Sequence, residues 1–162
     1  MIAMDVYLIQ HAEAKSKEED ASRPLTDDGR KIVANVGTHL ARLGVSFDRV
    51  FHSGKLRAQQ TAEILGASLN VSAAESHAGL DPMDPVEPVR RWLRKEADRG
   101  LKSIAVVGHL PFLDKLSSVL VTGSESVGVV AFQYAGVVRL VPKGEGEGYR
   151  VRWVLAPELI VA

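Results

Sequence analysis

The sequence predicts an α/β fold in which helices cover both faces of a sheet. Three observations carry this. Strand-like and helix-like segments alternate along the chain, the pattern of a doubly covered sheet. Residues 103–108 (SIAVVG) form a near-continuous apolar run, as a parallel strand buried on both faces requires. No repeat, low-complexity stretch or long linker divides the 162 residues, so one domain spanning 1–162 is expected, large enough to bury its own core.

The elements follow in order. Residues 4–10 (MDVYLIQ) read as the first strand, and a polar loop covers 13–25. Thr26 is the N-cap of a helix with Asp27 and Asp28 in its first turn, running to about Leu43 and ended by Gly44. Ile32, Val36, Leu40 and Leu43 recur at helical spacing and are expected to share its buried face. Residues 49–52 form a short strand, and Ser53 is placed to cap a second helix over 54–69. The proline-rich stretch 79–88 reads as an ordered loop, and 89–99 as a helix with a basic outer face. After the SIAVVG strand, Pro111 suits the first position of a helix that ends near Gly123. The tail reads as strands at 127–133, 136–141 and 149–155, with a hairpin turn over 144–148.

Composition narrows the function. Lys+Arg and Asp+Glu number 20 each, so the chain lacks the broad basic field that draws nucleic acid or an acidic membrane. There are no cysteines, which excludes disulfides, zinc-thiolate sites and thiol catalysis. No apolar run approaches the roughly 18 residues of a membrane span, and the opening residues turn polar too soon for a signal peptide. A cytoplasmic protein is expected, with no nucleic-acid or membrane partner.

The chemistry collects after the strands. His11 follows the first, Ser53 and Arg57 the second, and His109 the SIAVVG strand. Open parallel sheets bind ligands beyond the carboxyl ends of their strands, so these residues converge on one edge. That edge suits an anion. Arg57 sits in the first turn of its helix, where N–H groups are free and the dipole is positive, and Arg23 lies within reach in the first loop. His52, at a strand end, could line the pocket but reads first as a structural residue, His39 as a surface or boundary residue on a helix, and His77 as an exposed loop residue. The chain carries no GxxxxGK[ST] or GxGxxG loop and no HxxxH pair, so neither a nucleotide nor a metal site is expected.

At these residues the chain resembles the histidine phosphatase superfamily, with its phosphoglycerate-mutase-like fold, and within it the short SixA-type phosphohistidine phosphatases. The matching pieces occur in order: VYLIQHAEA at 6–14, RPLTDDG at 23–29, SGKLRAQQT at 53–61, VVGHLP at 106–111 and WVLAP at 153–157. The resemblance implies a three-layer α/β/α sandwich, its sheet mostly parallel with an antiparallel strand near one edge. It implies His11 as nucleophile, Arg57 and His109 on the phosphate oxygens, Arg23, Gln10 and Ser53 around the substrate, and no cofactor or metal. Two positions depart from the family pattern: Gln10 stands where relatives carry Arg, and Gly54 where many carry Pro.

The expected function is hydrolysis of phosphoryl groups from a phosphohistidine-bearing protein in signal transduction, through a covalent phosphohistidine on His11. Attack needs neutral His11 with one ring nitrogen free and the other N–H held by an acceptor. A phosphate ester would need a general acid as well. Asp81 is the leading candidate, followed by Asp84 and the weaker Glu75. Two alternatives stand beside this expectation: a phosphatase of small phosphate esters using such an acid, and a phosphate-binding pseudoenzyme, motivated by neutral Gln10.

Overall fold

A computed structural model describes residues 3–144 and 147–160. The elements are β1 (Asp5–Gln10), α1 (Asp27–Arg42), β2 (Arg49–His52), α2 (Leu56–Ser68), β3 (Ala74–Ser76), α3 (Glu87–Asp98), β4 (Ser103–Gly108), α4 (Phe112–Thr122), β5 (Val137–Pro142) and β6 (Tyr149–Leu155). A 3-10 turn, Pro157–Leu159, closes the described chain.

The strands form one six-stranded sheet in the order β3-β2-β4-β1-β5-β6. β3, β2, β4 and β1 run parallel, and β5 is antiparallel to both its neighbours, β1 and β6. This is the predicted α/β/α sandwich, with its antiparallel strand one place in from an edge.

Side-chain alternation along the strands builds two cores. Val6 and Leu8 of β1, with Ile104 and Val106 of β4, face Val89 and Leu93 of α3 and Phe112, Leu113 and Leu116 of α4. Tyr7, Ile9, Ala105 and Val107 point the other way, onto Val33, Val36 and Leu40 of α1 and Ala58, Ala62 and Leu65 of α2. Because both faces are covered, SIAVVG is buried at all six positions.

Register sets up the functional edge. Gln10 pairs with Gly108 at the level ends of β1 and β4, and His52 at the end of β2 pairs with Val107. The chain therefore leaves all three strands side by side, carrying His11, Ser53 and His109.

Several local expectations are corrected. Thr26 does cap α1, accepting the Gly29 N–H at 2.9 Å, but the buried face is Gly29, Val33, Val36, Gly37 and Leu40. Ile32 and Leu43 are exposed. The stripe is turned because glycines let the helix sit close: a Cβ at Gly29 would collide with the Glu13 backbone, and one at Gly37 with the Ser68 side chain. Ser53 does not cap α2, whose N-cap is Lys55 without a side-chain bond. Helix α3 starts two residues early, with Pro88 in its first turn, and Pro111 is the N-cap of α4, not its first helical residue. The edge strand β3 was not anticipated, since three residues are too few to show an alternation. No strand forms over 127–133: the Val127 and Gly128 N–H groups are taken by Ser118 Oγ, while Val130 and Phe132 pack against the core. Of the expected hairpin turn, Glu145 and Gly146 lie outside the described residues, but β5 and β6 pair antiparallel on either side of it.

Candidate active site

His11 leaves β1 with its N–H bonded to the Gly108 carbonyl at 3.0 Å. Its ring lies 5.1 Å from that of His109 and 5.4 Å from that of Tyr134, centroid to centroid. His11 Nδ1 donates to the Ala12 carbonyl at 2.7 Å, since a carbonyl can only accept. Nε2 is thereby left as the lone-pair nitrogen. Burial, with the nearby charges of Arg57 and Arg23, pushes the ring's pKa down to about 4 against the opposing Ala12 bond. At neutral pH the imidazole is uncharged and nucleophilic.

His109 follows β4 and is 2 % exposed. Its Nε2 meets Ser53 Oγ at 2.6 Å. Ser53 Oγ also accepts the Lys55 N–H at 3.3 Å. Either Ser53 Oγ or His109 Nε2 supplies the proton of that bond, according to the ring's tautomer. Burial, followed by the fields of His11, Arg57, Lys55 and Arg23, pushes this pKa down to about 3. A phosphoryl dianion beside the ring would reverse the sign of that field and favour the imidazolium.

Arg57 lies in the first turn of α2. Its pKa is lowered by burial and by Arg23, and raised by Tyr134 and Asp81, which sets those three side chains within its field. Arg23 holds a left-handed backbone, φ 50°, and donates Nε to the Lys15 carbonyl at 2.9 Å. Its loop is pinned to α2 where Gln60 Oε1 accepts the Leu25 N–H at 2.8 Å.

Three buried side-chain polar atoms lack a hydrogen-bond partner among the described residues: Arg57 Nε, His109 Nδ1 and Gln10 Oε1. Native interiors leave few such atoms unpaired, and here all three belong to the residues that sequence reasoning placed at one edge. Arg57 Nε is a donor, and His109 Nδ1 is one whenever the ring is an imidazolium, as an oxyanion requires. The third is an acceptor, contributed by the residue that departs from the family pattern.

The remaining candidates separate. Asp81 is exposed and its carboxylate makes no hydrogen bond among the described residues. Asp84 instead caps the turn, its Oδ2 accepting the Asp81 N–H at 2.9 Å. Glu75 is removed from consideration, since its carboxylate is gripped by Arg49 at 2.7 and 2.9 Å. His52 is buried and braces its own turn, Nδ1 accepting the Gly54 N–H at 3.0 Å; it takes the structural reading. His77 is half-buried, stacked 3.9 Å from the Trp92 ring, and so is not the exposed residue expected. Tyr134 and Thr61 were missed. Neither carries a local signal: Tyr134 lies in a segment without regular structure, and Thr61 reads as one more residue of α2. No group of three or more potential metal ligands gathers among the described residues. A hollow of about 150 Å³ lies elsewhere, between α3, α4 and β6. Two of its arginines are engaged, Arg90 with Glu87 and Arg94 with Glu147.

Comparison with known proteins decides the family. A family model described as the histidine phosphatase superfamily (branch 1) matches residues 6–87. The phosphohistidine phosphatase SixA of Escherichia coli strain K12 is 34% identical over 122 residues, covering 74% of this chain and 76% of its own. The chain belongs to the histidine phosphatase superfamily. This histidine phosphatase also superposes on the solved structure of the protein histidine phosphatase SixA complexed with tungstate, with a TM-score of 0.85, 29% identity and coverage of 95% of this chain and 97% of that one. A phosphoglycerate mutase from Bacillus anthracis shares the fold, with a TM-score of 0.70 at 15% identity over 92% of this chain and 91% of that one. The family model and the SixA relatives together make the chain a hydrolase of the phosphatase type. No helix among the described residues is long and apolar enough to cross a membrane.

Proposed function

We propose that this histidine phosphatase removes phosphoryl groups from a phosphohistidine-bearing protein, through a covalent phosphohistidine on His11. The observation that carries the reading is the His11 ring, uncharged, with Nδ1 tied to Ala12 and Nε2 left with its lone pair, beside Arg57 Nε and His109 Nδ1, which lack a partner among the described residues. The SixA relatives, by their names and at 29–34% identity, support the substrate class.

In the first step Nε2 of His11 attacks phosphorus, forming a new N–P bond as the substrate's N–P bond breaks. The leaving imidazole, protonated by solvent water at its other ring nitrogen, departs neutral. The His11 ring is left cationic, its Nδ1–H bonded to the Ala12 carbonyl. Arg57, Arg23 and His109 meet the oxygens on which transition-state charge is spread. Water then attacks phosphorus, supplies the fourth oxygen of inorganic phosphate and returns His11 to its neutral form. Such a substrate makes the chain a cytoplasmic signalling phosphatase.

One observation favours a second reading. Asp81 is close enough to act on Arg57, and its carboxylate has no hydrogen-bond partner among the described residues. Protonated, it would serve as the general acid that a phosphate ester needs. The test is to supply a phosphohistidine peptide and an alkyl phosphate ester, phosphoserine, side by side. The expected result is faster turnover of the peptide and acid-labile radiolabel on His11, lost in His11→Ala. Faster turnover of the ester, abolished by Asp81→Asn, moves the assignment to the second reading. Tight oxyanion binding with no turnover of either marks a pseudoenzyme.

A further inference from the structure

We propose that Thr61 is a positioning residue for phosphoryl transfer, its hydroxyl locking the nucleophile His11 and the phosphate ligand Arg57 into one frame. The inference rests on the reading of His11 as nucleophile given above.

Thr61 belongs to α2 and is wholly buried. A threonine hydroxyl has one proton to give and lone pairs to accept with, and both capacities are used. The proton goes to the Arg57 carbonyl at 2.8 Å, one turn back along the helix. The lone pair takes the Ala12 N–H at 3.0 Å, crossing from α2 to the loop that leaves β1, 49 residues away in sequence. Ala12 is also the residue whose carbonyl holds His11 Nδ1 at 2.7 Å, and it is itself fully buried. A continuous hydrogen-bonded path therefore runs from the backbone of Arg57, through Thr61 Oγ1 and Ala12, to the His11 ring.

The two ends of this path do different work in the reaction. Arg57 faces the phosphoryl oxygens in both ground and transition states. The Nδ1–H···Ala12 bond strengthens as attack makes the ring cationic, because a charged donor bonds more strongly than a neutral one. Without the hydroxyl, the buried Ala12 N–H loses its acceptor and its backbone turns to find another. The carbonyl two bonds away moves with it, and the His11 ring loses its fixed tautomer and aim. The loss belongs to kcat more than to ground-state binding.

Thr61→Val keeps the shape and removes the hydroxyl, whereas Thr61→Ser keeps the hydroxyl and removes the methyl. Three quantities are measured: kcat and KM on a phosphohistidine peptide, tungstate affinity by titration, and the ¹⁵N signals of the His11 ring. Thr61→Val is expected to lower kcat by about 10- to 100-fold while tungstate affinity changes by less than about threefold, and to replace the single Nδ1–H tautomer of His11 with a mixture. Thr61→Ser is expected to keep kcat within about threefold and the parent ring signals. Parent-like kcat and ring signals in Thr61→Val overturn the proposal. So does a Thr61→Ser variant as impaired as Thr61→Val, which assigns the effect to the methyl. If Thr61→Val does not fold by circular dichroism, Thr61→Ala replaces it with the same two outcomes. The ring signals and tungstate titration need no turnover, so a parent protein inactive on phosphohistidine fails the functional reading while Thr61 is still judged.

Discussion

Gln10 puts a neutral amide on the strand end that carries His11, the proposed nucleophile. It is 9 % exposed, with Oε1 unpartnered. Arginine there would add a fixed charge and a fork of donors. Gln10→Arg is expected to tighten tungstate binding by about 10-fold or more, the worth of one charge-assisted hydrogen bond; an unchanged Kd would show the pocket is built around the amide. The two buried histidines of the candidate site, His11 and His109, make a second expectation. Their pKa values, about 4 and about 3, lie below the ordinary 6.5, so the unfolded chain takes up protons first as pH falls. Their stabilising effect is complete above about pH 6.5 and is lost on acidification toward the folded-state values, at up to about 1.4 kcal/mol per pH unit for each ring. Urea unfolding at pH 7, 6 and 5 is expected to show that fall, with a shallower slope in His109→Asn. The meeting of His11, Arg57 and His109 at one edge was legible in sequence because each directly follows or opens an element the pattern reveals. Thr61, Gln60 and Tyr134 were not: their partners are distant in sequence, and nothing local marks the contact.

At the scale of elements, the approach of α1 depends on two missing side chains. Gly29→Ala would drive a Cβ into the Glu13 backbone and is expected to cost about 1–3 kcal/mol, the usual result of overpacking. Gly66 offers the contrast, since a Cβ there meets Val71 at an ordinary 3.7 Å. Gly66→Ala is expected to stabilise α2 by up to about 1 kcal/mol through helix propensity. Thermal melts of the two variants check both signs. The same glycines explain the misread helix face. Hydropathy periodicity weighs what a side chain adds and is blind to a position used for closeness, so Ile32 and Leu43 were assigned to a core that Gly29 and Gly37 occupy. Ser53 was misassigned for a related reason. Its hydroxyl suits a helix cap by type, but His109 from another strand competes for it at 2.6 Å.

Over the whole molecule, β1 sits inside the sheet between β4 and β5, although β4 is about a hundred residues away in sequence. Leu8 lies at the middle of that strand, wholly buried in the core beneath α3 and α4. Leu8→Ala is expected to cost about 2–5 kcal/mol, read as a lower urea midpoint with unchanged m-value. The fold class was legible from the strand–helix alternation and SIAVVG alone. The antiparallel place of β5 came from the family resemblance, because pairing direction leaves no mark on a strand's own residues.

The level ending of β1 and β4, Gln10 opposite Gly108, has an engineering consequence. The His11 ring hangs from hydrogen-bonded strand termini, so surface segments can be lengthened or exchanged without disturbing the aim of this proposed nucleophile. The stretch between His77 and Val86, which carries Asp81, is the natural graft point. Inserts there would redesign what approaches the phosphoryl centre, and with it the choice of substrate, while the attacking group stays where the sheet puts it.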